Sequence, residues 1–193
     1  DNGGHMTYGK TEKMGNWGYS SEFFNNLKNK PDKIANLYQE SVTESAEYFR
    51  DIIKKIRYRD ELKNTLVIFT SDHGELLGEY GGVYEHGAPL VPELVEVPIV
   101  FIGAGLPEDA QFDELLSTAD IAPTALSALG ATPPAEMDGY DLWKDRLPDS
   151  RVSRSEVWKD PSYPLVEYKA TSVWTKDGGY VYHLNSALSR AAH

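Results

Sequence analysis

Between residues 33 and 59, apolar side chains recur at Ile34, Leu37, Tyr38, Val42, Phe49, Ile52, Ile53 and Ile56, with Glu and Lys between them. That spacing is close to a helical repeat and predicts a long amphipathic helix packing one stripe on a sheet. Asn64 breaks the pattern, and residues 65–70 (TLVIFT) form a short, continuous apolar run rich in β-formers. Such a run predicts a strand buried on both faces, and a helix feeding it predicts a parallel α/β sheet. Residues 97–102 (VPIVFI) read as a second buried strand, with Pro98 tolerable near its start. A third short strand is expected over residues 112–116.

Asp120 stands where an N-cap belongs, with Pro123 in the first turn and Gly130 after the last, so residues 121–129 predict a helix closed by the Pro-rich segment 132–134. Beyond about residue 150 the pattern turns to alternation of Tyr, Trp and Val. Residues 169–175 and 180–184 flank Lys176-Asp177-Gly178-Gly179, which predicts an antiparallel hairpin. The first thirty residues are Gly-, Asn- and aromatic-rich and aperiodic, an extended loop followed by a short helix over 21–28.

Composition narrows the function classes. The 193 residues are 40% hydrophobic and 25% charged, the range of an ordinary globular domain with one sizeable core. Nineteen basic against thirty acidic residues give a net charge of −11. No basic run could track a phosphate backbone, so nucleic acid is not an expected partner. An anionic substrate would have to find its positive charge inside the pocket, from a metal or from placed cations. The same acidic surface would equally suit adaptation to salt. No cysteine is present, which excludes disulfides, thiolate zinc sites and a cysteine nucleophile within these residues and leaves the redox compartment open. No stretch approaches the roughly 18 apolar residues of a membrane span, and no leader pattern opens the chain. Because it starts at Asp1 without Met, a preceding segment is expected.

The chemistry concentrates in Thr70-Ser71-Asp72-His73-Gly74-Glu75, directly after the first apolar strand. Ligands of open parallel sheets gather at the carboxyl ends of strands. A carboxylate beside an imidazole offers an oxygen and a nitrogen suited to a divalent cation, and Gly74 lets the backbone turn away so that both can face one ion. By itself the tripeptide is equally compatible with a turn holding a hydrogen-bonded histidine. From Asn64 to Trp143 there is no Lys or Arg, so His73 and His86 are the potentially cationic side chains of that region. Glu75 and Glu79 read as loop charges. His183 and His193 have no chemical companions nearby in sequence, and Lys10 reads as a solvated lysine.

Four segments in order carry a family resemblance: Phe69–Glu79 (FTSDHGELLGE), His86-Gly87 with Glu93–Val100 (ELVEVPIV), Ser117–Thr124 (STADIAPT) and Asp138–Leu142 (DGYDL). Together they resemble the carboxyl-terminal part of sulfatases, in the alkaline-phosphatase-like superfamily. The resemblance implies an α/β three-layer sandwich fragment. Residues 1–150 would be the carboxyl-terminal part of the catalytic domain and residues 151–193 the start of a small antiparallel subdomain.

It further implies a divalent metal held by Asp72 and His73, calcium first, with manganese or zinc admitted by the imidazole. His86 falls where the family places a cation on the charged ester oxygens, and is both a substrate-binding and a catalytic candidate. His5, in His5-Met6-Thr7-Tyr8, resembles a His-x-Pro-Tyr element whose imidazole binds substrate or protonates a leaving group, with Thr7 in place of the Pro. Asp120 belongs to a family signature but is better explained by helix capping than by catalysis.

The expected substrate is a small anionic sulfate or phosphate ester. The nucleophile and two further carboxylates belong to the amino-terminal half of such proteins, so this stretch alone is expected to be inactive and, with an uncovered sheet, to self-associate. A phosphodiester or phosphonate monoester hydrolase, a phosphotransferase of the same superfamily, and a non-catalytic binding module are the alternatives.

Overall fold

The structure, a computed structural model, describes residues 30–82, 84–86, 90–104, 106–107, 110–157 and 170–183. His5, the helix expected at 21–28, and His193 lie outside these residues. The chain divides into two compact units, one formed by Asp1–Glu61 with Glu75–Glu85 and the other by Leu62–Gly74 with His86–His193.

In the first unit, α1 spans Pro31–Tyr58, as the periodicity predicts. Proline at the first turn, Asp32 near the amino end, and Lys55 and Arg57 in the last turn all suit the helix dipole and the unpaired terminal groups. Ile34, Leu37 and Ile53 are buried, while Val42, Ile52 and Tyr58 stay exposed. The helix stops earlier than Asn64. Asp60 takes a left-handed conformation (φ 56°), its N–H bonds the Arg57 carbonyl at 3.0 Å, and the Glu61 N–H reaches back to Ile56 at 3.1 Å. This is a Schellman closure with aspartate in the usual glycine place. Two short strands, β2 (Leu76–Leu77) and β3 (Tyr84–Glu85), pair antiparallel around a one-turn helix α2 (Glu79–Gly82). Leu76, 1% exposed, is the buried apolar side chain that β2 adds to this unit, where α1 packs against it.

In the second unit, β1 (Leu66–Thr70) and β4 (Ile99–Gly103) pair in register from Leu66↔Gly103 to Thr70↔Ile99. The pairing is antiparallel, which corrects the expectation of a parallel ladder. A continuous apolar run reports burial but carries no information on the direction of the partner strand. Burial is also only partial, since the β1 residues are half-buried apart from the exposed Thr70. The segment 112–116 is not a strand. Its Phe112 packs instead on Trp143, ring centroids 5.1 Å apart, and Trp143 in turn meets Phe101 of β4 edge-on at 5.8 Å. The apolar pattern there serves aromatic packing rather than a ladder.

Between the strands lies the one-turn helix α3 (Pro92–Val95), and after them α4 (Ile121–Ala128). Helix α4 ends in a second Schellman closure, with Gly130 at φ 80° and the Ala131 N–H on the Leu126 carbonyl at 2.9 Å. Then β5 (Ser153–Val157), β6 (Ala170–Thr175) and β7 (Gly178–His183) form an antiparallel sheet in that order, including the expected hairpin. Leu90, Ala170 and Val181 make its core, with Val95, Val157 and Trp174 against them. Mixed helix and antiparallel sheet of this kind is an α/β arrangement. No described helix is long and apolar enough to cross a membrane.

Candidate functional site

The backbone leaves the ladder after Thr70 and runs irregularly through residues 71–75. What fixes this loop is a contact invisible in its own sequence. The Gly74 N–H donates to the Leu94 carbonyl of α3 at 2.8 Å, and a Cβ on Gly74 would overlap the Glu93 carbonyl. Gly74 is therefore required for close backbone approach rather than for a left-handed turn, a different reason from the one its place in the loop suggests.

On that braced loop the Asp72 carboxylate and the His73 ring face each other, Oδ2 to Nε2 at 3.6 Å. The other carboxylate oxygen, Oδ1, accepts from the His73 N–H at 3.0 Å, and the Ser71 hydroxyl sits 3.4 Å from it while donating to the His73 carbonyl at 2.7 Å. His73 Nδ1 is 2.8 Å from the Gly74 carbonyl. A carbonyl can only accept, so in the neutral ring the proton sits on Nδ1 and the lone pair on Nε2, the atom turned toward Asp72. The slight desolvation of Asp72 acts to raise its pKa. It is outweighed by the adjacent His73 and by hydrogen bonds from the backbone N–H groups and Ser71, which together hold the carboxyl below its ordinary value. One carboxylate oxygen and one imidazole nitrogen thus lie side by side on the exposed loop.

Metal–ligand bonds of about 2.0–2.6 Å set two adjacent ligands of one ion roughly 3–4 Å apart. The Asp72–His73 separation falls in that range, so the donor pair fits a divalent cation. Both side chains are well exposed, 82% for Asp72 and 41% for His73, which leaves the outward atoms open to an ion and substrate. His86 joins them: its ring stacks on His73 with centroids 4.1 Å apart and planes inclined by 27°. The structure therefore brings three of the four expected site residues together, and the fourth, His5, lies outside the described residues. Ser71, whose hydroxyl ties the loop, and the Leu94 carbonyl that holds Gly74 escaped the sequence reading. Only the glycine hinted at the second.

Asp120 has a different role from the simple cap expected of it. Its carboxylate is fully buried and makes no side-chain cap for α4. The cap belongs to Ser117, which begins a short 3₁₀ turn, and Asp120 closes that capping box by accepting the Ser117 N–H at 2.8 Å. It also accepts the Tyr140 N–H at 2.9 Å and holds Arg151 Nη2 at 2.6 and 2.7 Å. Thr124, also fully buried, bonds the same loop, donating to the Tyr140 carbonyl at 3.3 Å and accepting from the Leu142 N–H at 3.0 Å. The STADIAPT and DGYDL segments are thus one structural knot. Their chemistry is assembly rather than catalysis.

Comparison with known proteins gives this geometry its context. The Sulfatase family model matches residues 15–131. A sulfotransferase of low-salt glycan biosynthesis, Agl7 from Haloferax volcanii, is 42% identical over 171 residues, covering 86% of this chain and 42% of its own. Arylsulfatase K from Canis lupus familiaris is 34% identical over 109 residues, 56% of this chain and 20% of that protein. Among solved structures, a 2-O GAG sulfatase superposes with a TM-score of 0.66 at 22% identity, covering 82% of this chain and 35% of that one, a likeness of fold. The chain spans less than half the length of these relatives. With the family match covering more than half of its residues, the chain belongs to the sulfatase family.

Proposed function

We propose that this chain carries part of the metal centre of a sulfatase-type enzyme that cleaves a sulfate ester, Asp72 and His73 being metal ligands. The observation that carries the reading is the exposed pairing of Asp72 Oδ2 with His73 Nε2 at 3.6 Å, while Nδ1 of the same ring is engaged by the Gly74 carbonyl. The bound cation would lower the pKa of a nucleophile and offset charge on the ester oxygens. Calcium is the proposed ion, with manganese and zinc compatible with the imidazole ligand. His86, stacked against His73, would contact the charged ester oxygens, and His5 would act on the leaving oxygen. The domain reading of the sequence goes with this: residues 1–150 as part of a catalytic α/β domain and 151–193 as the start of an antiparallel subdomain. The substrate is a small sulfated molecule, as the 2-O GAG sulfatase acts on a sulfated glycan by its name.

Titration of the purified chain with Ca²⁺, Mn²⁺ and Zn²⁺ by calorimetry tests the centre. Asp72→Asn and His73→Gln should each weaken binding by about tenfold or more, the scale seen when even supporting groups of a metal site are lost. Unchanged binding in both variants would remove the assignment.

A second reading has one specific observation in its favour: the 42% identical relative is named a sulfotransferase. There the sulfuryl group would pass to a sugar hydroxyl instead of water. The two reactions share the metal ligands and differ in the acceptor. Supplying a sugar acceptor to the full-length protein, and asking whether sulfate appears free or on the sugar, separates them.

A further inference from the structure

Beside the three-stranded sheet lies an open groove of about 590 Å³, lined by residues from 92–99 and 112–118 together with Trp174 and its cross-strand partner Ser153. Trp174 is held rigidly. It stands across from Gly179 in the β6–β7 ladder, where any Cβ would fall into the indole ring, so one ring face rests on bare backbone. The indole N–H is taken by Ser172 Oγ at 3.0 Å. The half-buried ring therefore offers the groove a fixed apolar plate, and binding on it costs little side-chain entropy.

Around this plate the groove is polar in a particular way. Glu96, Asp113 and Glu114 are exposed carboxylates on its walls, and Ser153 and Thr175 add hydroxyls. Two cations reach its rim, but each already meets a carboxylate: Arg154 Nε is 3.2 Å from Glu156 and Lys176 Nζ is 3.9 Å from Asp149. The groove is thus net acceptor-rich and negative. A sulfate or phosphate group would be repelled there, and a purely apolar ligand would strip water from carboxylates and leave them unpaired. A ligand with one apolar face and a rim of hydroxyl donors satisfies both halves.

We propose that this groove is a subsite for an uncharged sugar unit, its C–H face on Trp174 and its hydroxyls donating to Asp113, Glu114 and Glu96. Helix α3, which contributes Pro92 and Val95 to the groove, is also the element whose Leu94 carbonyl braces Gly74, so the groove and the loop bearing Asp72 and His73 share a supporting element. In the context of the proposed function, on which only this link rests, a glycan would place its sulfated unit at the proposed metal ligands and a neutral neighbour in the groove.

The test is an NMR titration of the ¹⁵N-labelled chain in metal-free buffer, following the Trp174 indole cross-peak, identified through Trp174→Phe. The probes are cellobiose, maltose and mannobiose, glucose 6-sulfate, and choline as a cationic competitor for an aromatic surrounded by carboxylates. A saturable shift with at least one neutral disaccharide is expected, with weaker binding of glucose 6-sulfate. Trp174→Ala should weaken the binding about tenfold, equivalent to one strong aromatic contact. Asp113→Ala, at an exposed side chain, should weaken it as well. No shift with any neutral sugar, preference for the sulfated sugar, or preference for choline would each overturn the subsite. Since no metal is present, failure here leaves the Asp72–His73 assignment standing, and failure of the metal titration leaves this one.

Discussion

Removing the Asp120 carboxylate would strand Arg151, a guanidinium whose side chain is only 8% exposed, and would free the Ser117 and Tyr140 N–H groups at the same time. An uncompensated buried charge costs about 3–5 kcal/mol. Asp120→Ala should therefore lower stability by that amount in urea denaturation, while Asp120→Ala with Arg151→Met should lose clearly less. A loss under 1 kcal/mol for the single variant, roughly that of a surface pair, would show the knot to be solvated. At Gly74 the constraint is steric: Gly74→Ala must displace the Glu93 carbonyl, an overpacking cost of about 1–3 kcal/mol. Because the displaced segment braces the Asp72–His73 loop, metal affinity should fall together with stability, which calorimetry and denaturation on one sample can check. The types of Asp72, His73 and His86 were legible as chemistry in the sequence. The tautomer of His73, and the buried role of Asp120, depend on partners one and thirty-one residues away whose positions no local pattern encodes.

Elements divide by how local their causes are. Helix α1 was legible almost to the residue because its apolar repeat with buried Ile34, Leu37 and Ile53, its initial proline and its charged ends all lie within one segment. Leu37→Ala should cost about 2–5 kcal/mol, the usual range for a buried leucine, whereas Ile52→Ala, at an exposed side chain, should stay within about 0.5 kcal/mol. Helix α4 ends at Gly130, whose φ is 80° and around which a Cβ would meet open space. Gly130→Ala should accordingly cost about 1 kcal/mol from backbone conformation alone, readable as a shift in the denaturation midpoint without a change in its slope. The strands β1 and β4 were legible as strands, and the β6–β7 hairpin as a hairpin. Their partners' directions were legible only where a short turn forces the answer, as Lys176–Gly179 does. For β1 and β4, separated by 28 residues, either direction was open to the pattern, and the pairing is antiparallel.

Over the molecule as a whole, a charge of −11 sets the chain against itself. Self-repulsion of that sign weakens as the Debye length falls from about 10 Å at 0.1 M salt to about 3 Å at 1 M. Stability in urea should rise with KCl across that interval; a flat or falling profile would mean that local ion pairs offset the excess. The two proposed ligand residues, Asp72 and His73, are fewer than the six to eight oxygens calcium takes. The 193-residue chain by itself should therefore bind calcium weakly and leave an aryl sulfate uncleaved, and metal-dependent release of the phenol would contradict this. By itself the sequence determined the long helix, the apolar strands, the hairpin, the family and the residue types of the candidate site. Each of these follows from periodicity or from motifs read within a short window. Only the tertiary structure decided the antiparallel pairing, the anchoring of Gly74 on Leu94, the stacking of His73 on His86, the Asp120–Arg151 knot and the groove over Trp174. Those depend on which distant backbone atoms meet, and the energy of such meetings is set by packing and hydrogen bonding in three dimensions, not by the order of residues along the chain.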